Sequence, residues 1–137
     1  MAKKIHKSIK KERKYYLQNW SYIPKKNEGA RFENMVAVGL TRLCNTLNEN
    51  GLGPYGLYFV RDLNKREVDF LIAKRQDPVL LIETKTKDFK VRVFGINLAK
   101  KLGDIPIVQL IHRPKTLRKL GEKVFVISAH HFFSGLP

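Results

Sequence analysis

The sequence is poor in cysteine, in negative charge and in long apolar runs, and each shortage excludes a class of protein. A single cysteine, Cys44, cannot form an intramolecular disulfide or a cysteine-rich zinc site. No apolar run approaches the roughly 20 residues needed to cross a bilayer, and no apolar segment follows the charged N-terminus as it does in a secretory signal. We therefore expect a cytoplasmic protein without a membrane partner.

Two common catalytic motifs are also missing. The sequence contains no G-x-x-x-x-G-K-[ST] loop to cradle nucleotide phosphates and no G-x-S-x-G elbow to carry a nucleophilic serine. The neighbouring His130 and His131 would point in different directions on a strand or helix. The sequence therefore favours neither a P-loop ATPase, nor a serine hydrolase, nor a histidine-based metal site.

The charges that are present are distributed unevenly. Against 27 Lys and Arg the chain has 12 Asp and Glu, a formal net charge of +15. Half of these carboxylates lie in residues 55–88, whereas residues 1–26 and 89–122 are strongly basic. Basic flanks around a locally acidic centre suit a polyanion such as nucleic acid, although basic tails can also serve only as solvated surface. The length of 137 residues predicts one domain over 14–137, preceded by a basic arm over 1–13 that is either frayed or a helix.

Hydrophobic periodicity predicts a mixed α/β order of elements. The helix expected from Asn27 to about Asn50 carries apolar residues at steps of three and four, from Phe32 to Leu47. The other expected elements are an extended segment over 14–23, strands over 57–60, 67–73, 79–84, 105–111 and 123–127, helices over 89–102 and 128–133, and a basic connection over 113–122 with one or two helical turns.

The candidate site lies on the two strands around residue 76. In an antiparallel hairpin centred on Gln76, Asp69 falls opposite Glu83, and period-two alternation puts Glu83 and Lys85 on one face. Val68 is expected to share the other face with Phe70. Two facing carboxylates repel each other, and a divalent cation removes that repulsion.

These residues predict a metal-dependent phosphodiester hydrolase. Asp69, Glu83 and the Thr84 carbonyl would hold Mg²⁺ or Mn²⁺, and Lys85 would position a water and stabilise developing charge. Glu33, at the edge of the helix stripe, would orient a water or help to bind a second metal. The alternative is that these charges serve only solubility, as charged pairs on exposed hairpin faces usually do.

The order of the motifs Arg31-Phe32-Glu33-Asn34, Glu67-Val68-Asp69-Phe70 and Leu81-Ile82-Glu83-Thr84-Lys85 resembles the PD-(D/E)XK nuclease-like superfamily. More narrowly, residues 14–128 resemble the C-terminal domain that follows the AAA+ module in many archaeal and bacterial ATPases. The resemblance implies a restriction-endonuclease-like αβββαβ core, with a central mixed sheet flanked by helices, and carries over Glu33, Asp69, Glu83 and Lys85 as the site. The sequence departs from the pattern at Asn19, where many relatives carry an aspartate, and in having no proline before Asp69.

The expected partner is nucleic acid, with DNA as the first candidate. The cations expected to hold its backbone are Lys3, Lys4, Lys7, Lys10, Lys11, Lys100, Lys101, Arg113, Lys115, Arg118 and Lys119. A catalytically inactive domain that binds nucleic acid or regulates an ATPase is the alternative function, because related domains can keep the carboxylates while serving as recognition modules. The sequence leaves open a homodimer, and a AAA+ ATPase as partner or parent chain.

Overall fold

The protein is described by a computed structural model that covers residues 9–12, 28–62, 66–86 and 90–136. Its strands and helices, in chain order, are β1 (Ile9–Glu12), α1 (Glu28–Glu49), β2 (Tyr55–Asp62), β3 (Glu67–Lys74), β4 (Asp77–Lys85), α2 (Val93–Lys101), β5 (Ile107–Ile111), β6 (Leu117–Gly121), β7 (Val124–Ser128) and α3 (Ala129–Ser134). The run from α1 to β5 confirms the expected αβββαβ order. None of the helices within these ranges is long and apolar enough to span a bilayer.

The seven strands within the described residues form one mixed sheet in the order β1-β2-β3-β4-β5-β7-β6. The pairs β1–β2, β2–β3 and β3–β4 are antiparallel. The pairs β4–β5 and β5–β7 are parallel, and β6 pairs antiparallel with β7. Strand β4 is therefore the boundary between an antiparallel half and a parallel half. The fold is mixed α/β, as the periodicity predicted.

The helix α1 covers one face of this sheet because its apolar residues recur every three or four positions. Phe32, Val36 and Leu40 are buried against Phe70 of β3 and Ile82 of β4. The helix ends where Gly51 adopts a left-handed φ of 77°, a conformation that glycine reaches without steric cost. The predicted helix and its apolar stripe are both confirmed.

The opposite face of the sheet is covered by α2. Leu98, Ala99 and Leu102 pack on Leu71 of β3 and Leu81 of β4. The helix begins at Val93 rather than near residue 89, because Arg92 has extended backbone angles of φ −63° and ψ 141°. It is followed by Gly103 at φ 115°, so the predicted end is correct.

Two stretches expected to be irregular or helical are strands instead. Residues 9–12, assigned to the basic arm from the sequence, form β1 and pair with β2 at one edge of the sheet. Within the basic connection predicted over 113–122, residues 117–121 form β6 at the other edge, paired with β7. Both assignments depend on a partner strand, which local composition does not reveal. The predicted extended segment 14–23 and the helix cap at Asn27 lie outside the described residues.

Candidate functional site

A β-bulge shapes strand β3 at the candidate aspartate. Asp69 and Phe70 together lie opposite the single residue Phe59 of β2. The extra residue reverses the alternation of faces, so that Val68 packs in the same cluster as Leu71. The prediction that Val68 shares a face with Phe70 was therefore wrong, and the bulge is the physical reason.

The hairpin register places Asp69 beside β4 as predicted. Phe70 pairs with Ile82, and this register continued by one residue would bring Asp69 next to Glu83. The Asp69 Oδ2 atom accepts hydrogen bonds from the Thr84 backbone N–H at 2.9 Å and from its hydroxyl at 3.0 Å. Thr84 thus fixes the Asp69 carboxylate through two donors. A role of the Thr84 carbonyl as a metal ligand stays a prediction.

The Glu83 carboxylate is buried, with only 2% of its side chain exposed, and it is held by an arginine that precedes α2. Arg92 donates to Glu83 Oε1 from Nη2 at 2.5 Å and from Nε at 3.2 Å. The hydrogen bond to Glu83 raises the pKa of Arg92 above its ordinary value, against the lowering effect of burial. The second oxygen, Glu83 Oε2, is buried and forms no hydrogen bond.

The surroundings of Arg92 link this ion pair to the start of β3. Its Nη2 also donates to the Glu67 carbonyl at 2.5 Å. The guanidinium of Arg92 lies 5.7 Å from the ring centroid of Phe94, and that of Arg66 lies 4.6 Å from the same ring. Arg61 pairs with the Glu67 carboxylate at 3.2 Å. Of these arginines, Arg92 contacts Glu83, whereas Arg61 and Arg66 contact Glu67 and Phe94.

Two neighbours of Glu83 complete its setting. Gln109 of β5 pairs in parallel register with Glu83 and is fully buried, so its amide projects from the same face of the sheet. Gly95 of α2 allows the helix to come close: a Cβ there would lie 3.5 Å from Glu83 Oε1 and 2.7 Å from Ile107 Cδ1. The absence of a side chain at residue 95 thus avoids a clash with Ile107 and lets α2 pack closely on the strands beside Glu83.

Lys85 and Glu33 are the two remaining predicted site residues. Lys85 is exposed at the end of β4 and projects on the same side as Glu83, because β4 keeps its register from Leu81 onward. Glu33 is half-buried on α1, which covers the face opposite to the one where Glu83 meets α2. A contribution of Glu33 to this site stays a prediction.

The donor set among the described residues is small. In the ranges that the structure describes, no group of three or more His, Cys, Asp or Glu side chains is placed to hold a metal ion. Asp69 and Glu83 provide two carboxylates, and Mg²⁺ sites commonly use one or two carboxylates with waters and substrate phosphates as the other ligands. The buried, unbonded Glu83 Oε2 is a further oxygen that a cation would satisfy. A divalent cation held by Asp69 and Glu83 and completed by water and substrate stays a prediction.

The candidate nucleic-acid cations lie on both sides of β4. Those whose side chains the structure describes are exposed at the end of α2 and along the loop and strand leading to β7: Lys100, Lys101, Arg113, Lys115, Arg118 and Lys119. Lys10 and Lys11 lie in β1 at the other edge, and Lys3, Lys4 and Lys7 lie outside the described residues. Strands β1 and β6 are each three strands from β4, or about 14 Å at ordinary strand spacing.

Sequence reasoning missed Arg92 and Gln109. Gln109 could have been found, since it is a polar residue in the middle of the apolar strand Ile107–Ile111. Arg92 gave no comparable signal, because its sequence neighbourhood is an ordinary helix start. Its role depends on the crossover that brings the N-terminus of α2 over β4.

Comparison with known proteins identifies one family. The profile of a family described as "Domain of unknown function (DUF4143)" matches residues 28–131, from α1 into α3. This domain is often found after AAA+ ATPase modules, which agrees with the narrower of the two resemblances seen in the sequence. Neither the comparison with curated proteins nor that with solved structures finds a match to this chain.

Proposed function

The chain belongs to the DUF4143 family, and we propose that it hydrolyses phosphodiester bonds in nucleic acid, DNA in the first place, with Mg²⁺ or Mn²⁺ held by Asp69 and Glu83. The observation that carries this proposal is a buried Glu83 oxygen that forms no hydrogen bond, next to Thr84, which holds the Asp69 carboxylate through two hydrogen bonds. A buried carboxylate oxygen without a partner is costly, and a cation would satisfy it. The site thus has a chemical need for positive charge.

The residues around the pair have separate tasks in this proposal. Thr84 holds the Asp69 carboxylate in one orientation through two hydrogen bonds. Lys85, exposed beside Glu83, stabilises negative charge that develops on the phosphate. A bound metal supplies Lewis acidity and lowers the pKa of a coordinated water. Glu33 is proposed to orient a water from α1.

The basic edges of the sheet support a nucleic-acid substrate. Exposed cations along β6, including Arg118 and Lys119, and the lysines of β1 lie on either side of the strand that carries Glu83. Phosphate contacts of this kind hold a backbone without reading its sequence. Each cation that contacts a phosphate is expected to steepen the salt dependence of binding by about one unit.

A second function is favoured by one specific observation. Arg92 already neutralises Glu83 without any metal, which suits a domain that binds nucleic acid or regulates an ATPase and cuts nothing. Since domains of this family often follow AAA+ modules, a AAA+ ATPase is the proposed partner or parent chain in both readings.

Nuclease assays separate the two functions. Supercoiled, branched and single-stranded DNA, and single-stranded RNA, are incubated with the protein and Mg²⁺ or Mn²⁺, and wild type is compared with Glu83→Gln and Lys85→Ala. We expect cleavage that falls at least 100-fold in both variants. Glu122→Gln is the matched control, because Glu122 is an exposed carboxylate in the turn between β6 and β7, and it should cut normally.

The cleavage and binding results together decide between the two functions. Cleavage that survives Glu83→Gln unchanged would show a contaminating nuclease and refute the proposed site. If no substrate is cut but DNA still binds with a steep salt dependence, the non-catalytic function is the correct one.

A further inference from the structure

Arg92 satisfies the negative charge of the site in the way that a metal ion would. Its guanidinium donates twice to Glu83 Oε1 and once to the Glu67 carbonyl, and it is also attracted by the charge of Asp69. Resting on the proposed function, we propose that Arg92 is an internal counter-ion that a divalent cation must displace from Glu83 before the site can act.

Competition follows from the positions of the two charges. Glu83 Oε1 already accepts both donors of Arg92, whereas Oε2 accepts none. A divalent cation that binds this carboxylate would lie within a few ångströms of a guanidinium. Like charges at this distance repel strongly in a partly buried setting. The ion pair and the metal therefore compete for the Glu83 carboxylate, and Arg92 lowers the affinity of the site for metal.

The structure provides a place for the displaced side chain. Arg92 precedes α2 in extended backbone conformation, and 45% of its side chain is exposed. Its guanidinium is already near the ring of Phe94, which Arg66 covers at 4.6 Å. A rotation of the Arg92 side chain away from Glu83 leaves two guanidiniums at this ring, where they can bind a phosphate of the substrate. Arg92 would thus be a positioning residue that exchanges a carboxylate for a phosphate.

Mn²⁺ binding to the full chain tests the role of Arg92 as a counter-ion without any measurement of cleavage. The free-ion electron paramagnetic resonance signal is titrated for wild type, Arg92→Gln, Arg92→Lys and Glu83→Gln. We expect Arg92→Gln to bind Mn²⁺ at least tenfold more tightly than wild type. Arg92→Lys should lie between them, because a lysine cannot reproduce the two-donor fork. Glu83→Gln should not bind.

Arg61→Gln is the matched control. Arg61 pairs with Glu67 beside the same strand, but both partners are exposed by about 40%, so its removal should leave Mn²⁺ affinity unchanged. Melting curves in EDTA and in Mn²⁺ show that each variant is folded, and Mn²⁺ should raise the melting temperature of Arg92→Gln more than that of wild type.

The possible results identify which idea fails. Suppose that wild type and Arg92→Gln bind Mn²⁺ equally well and that Glu83→Gln does not bind it. This result refutes the counter-ion role of Arg92 and supports the metal site at Glu83. Absence of Mn²⁺ binding in every variant overturns both proposals. Tight binding by Arg92→Gln without cleavage of any nucleic acid supports the counter-ion and refutes the nuclease.

Discussion

Removing the Arg92 guanidinium should destabilise the fold because it leaves a buried carboxylate without its counter-ion. Glu83 is 2% exposed, and its two hydrogen bonds both come from Arg92. Breaking a buried ion pair typically costs about 3–5 kcal/mol, since one charge is left uncompensated. Because the Arg92 side chain is 45% exposed, water screens part of this interaction, and we expect Arg92→Ala to lose about 2–3 kcal/mol.

Urea denaturation measures the stability lost in Arg92→Ala, and Arg61→Ala serves as the comparison. In the Arg61–Glu67 pair two guanidinium nitrogens also donate to one carboxylate oxygen, at 3.2 and 3.3 Å, but its side chains are 43% and 40% exposed. Exposed pairs of this kind contribute about 0.2–1 kcal/mol. We therefore expect Arg61→Ala to shift the urea midpoint slightly and Arg92→Ala to shift it several times more, with unchanged slopes.

A second substitution should restore part of the stability that Arg92→Ala loses. Replacing both members of a buried ion pair by apolar groups is often close to neutral, so Arg92→Ala combined with Glu83→Met should be more stable than Arg92→Ala alone. Equal losses from Arg92→Ala and Arg61→Ala would refute the role of burial. A double variant as unstable as Arg92→Ala would show that the loss comes from contacts other than the charge pair.

Three further predictions concern the scaffold. Gly39→Ala should destabilise the fold by about 1–2 kcal/mol despite better helix propensity, since its Cβ would lie 2.6 Å from Phe133 Cζ, and Phe133→Leu should remove most of the loss in a double-mutant cycle. Asn48→Ala should speed hydrogen exchange at the Tyr55 amide, which donates to the Asn48 side-chain oxygen at 2.6 Å; an unchanged rate would contradict this. Burial raises the pKa of the Cys44 thiol, so a thiol reagent at pH 8 should react far more slowly with native than with unfolded protein.

The parts of the fold that the sequence predicted are those with a local cause. Helix α1 follows from apolar residues at helical spacing, and its end follows from Gly51. The register of β3 and β4 follows from alternation on both sides of a short turn, which is why the pairing of Phe70 with Ile82 agrees with the hairpin predicted around Gln76.

The features that the sequence did not predict depend on partners distant in the chain. No pattern in the residues around Asp69 predicts the bulge, which is a feature of the pairing of β3 with β2. Residues 117–121 are almost all exposed, and they form a strand only because β7 offers an edge. Arg92 reaches Glu83 only through the path of the crossover, which short-range periodicity cannot reveal.

The position of β4 between the antiparallel and parallel halves also has a kinetic consequence. Strands β2, β3 and β4 are joined by short connections and can pair early, because little chain entropy is lost in closing them. Pairing of β4 with β5 must wait until α2, which lies between them in the chain, has packed on the sheet. Glu83 therefore stays open to water until that late closure brings Arg92 onto it, and the ion pair forms only at the end of folding.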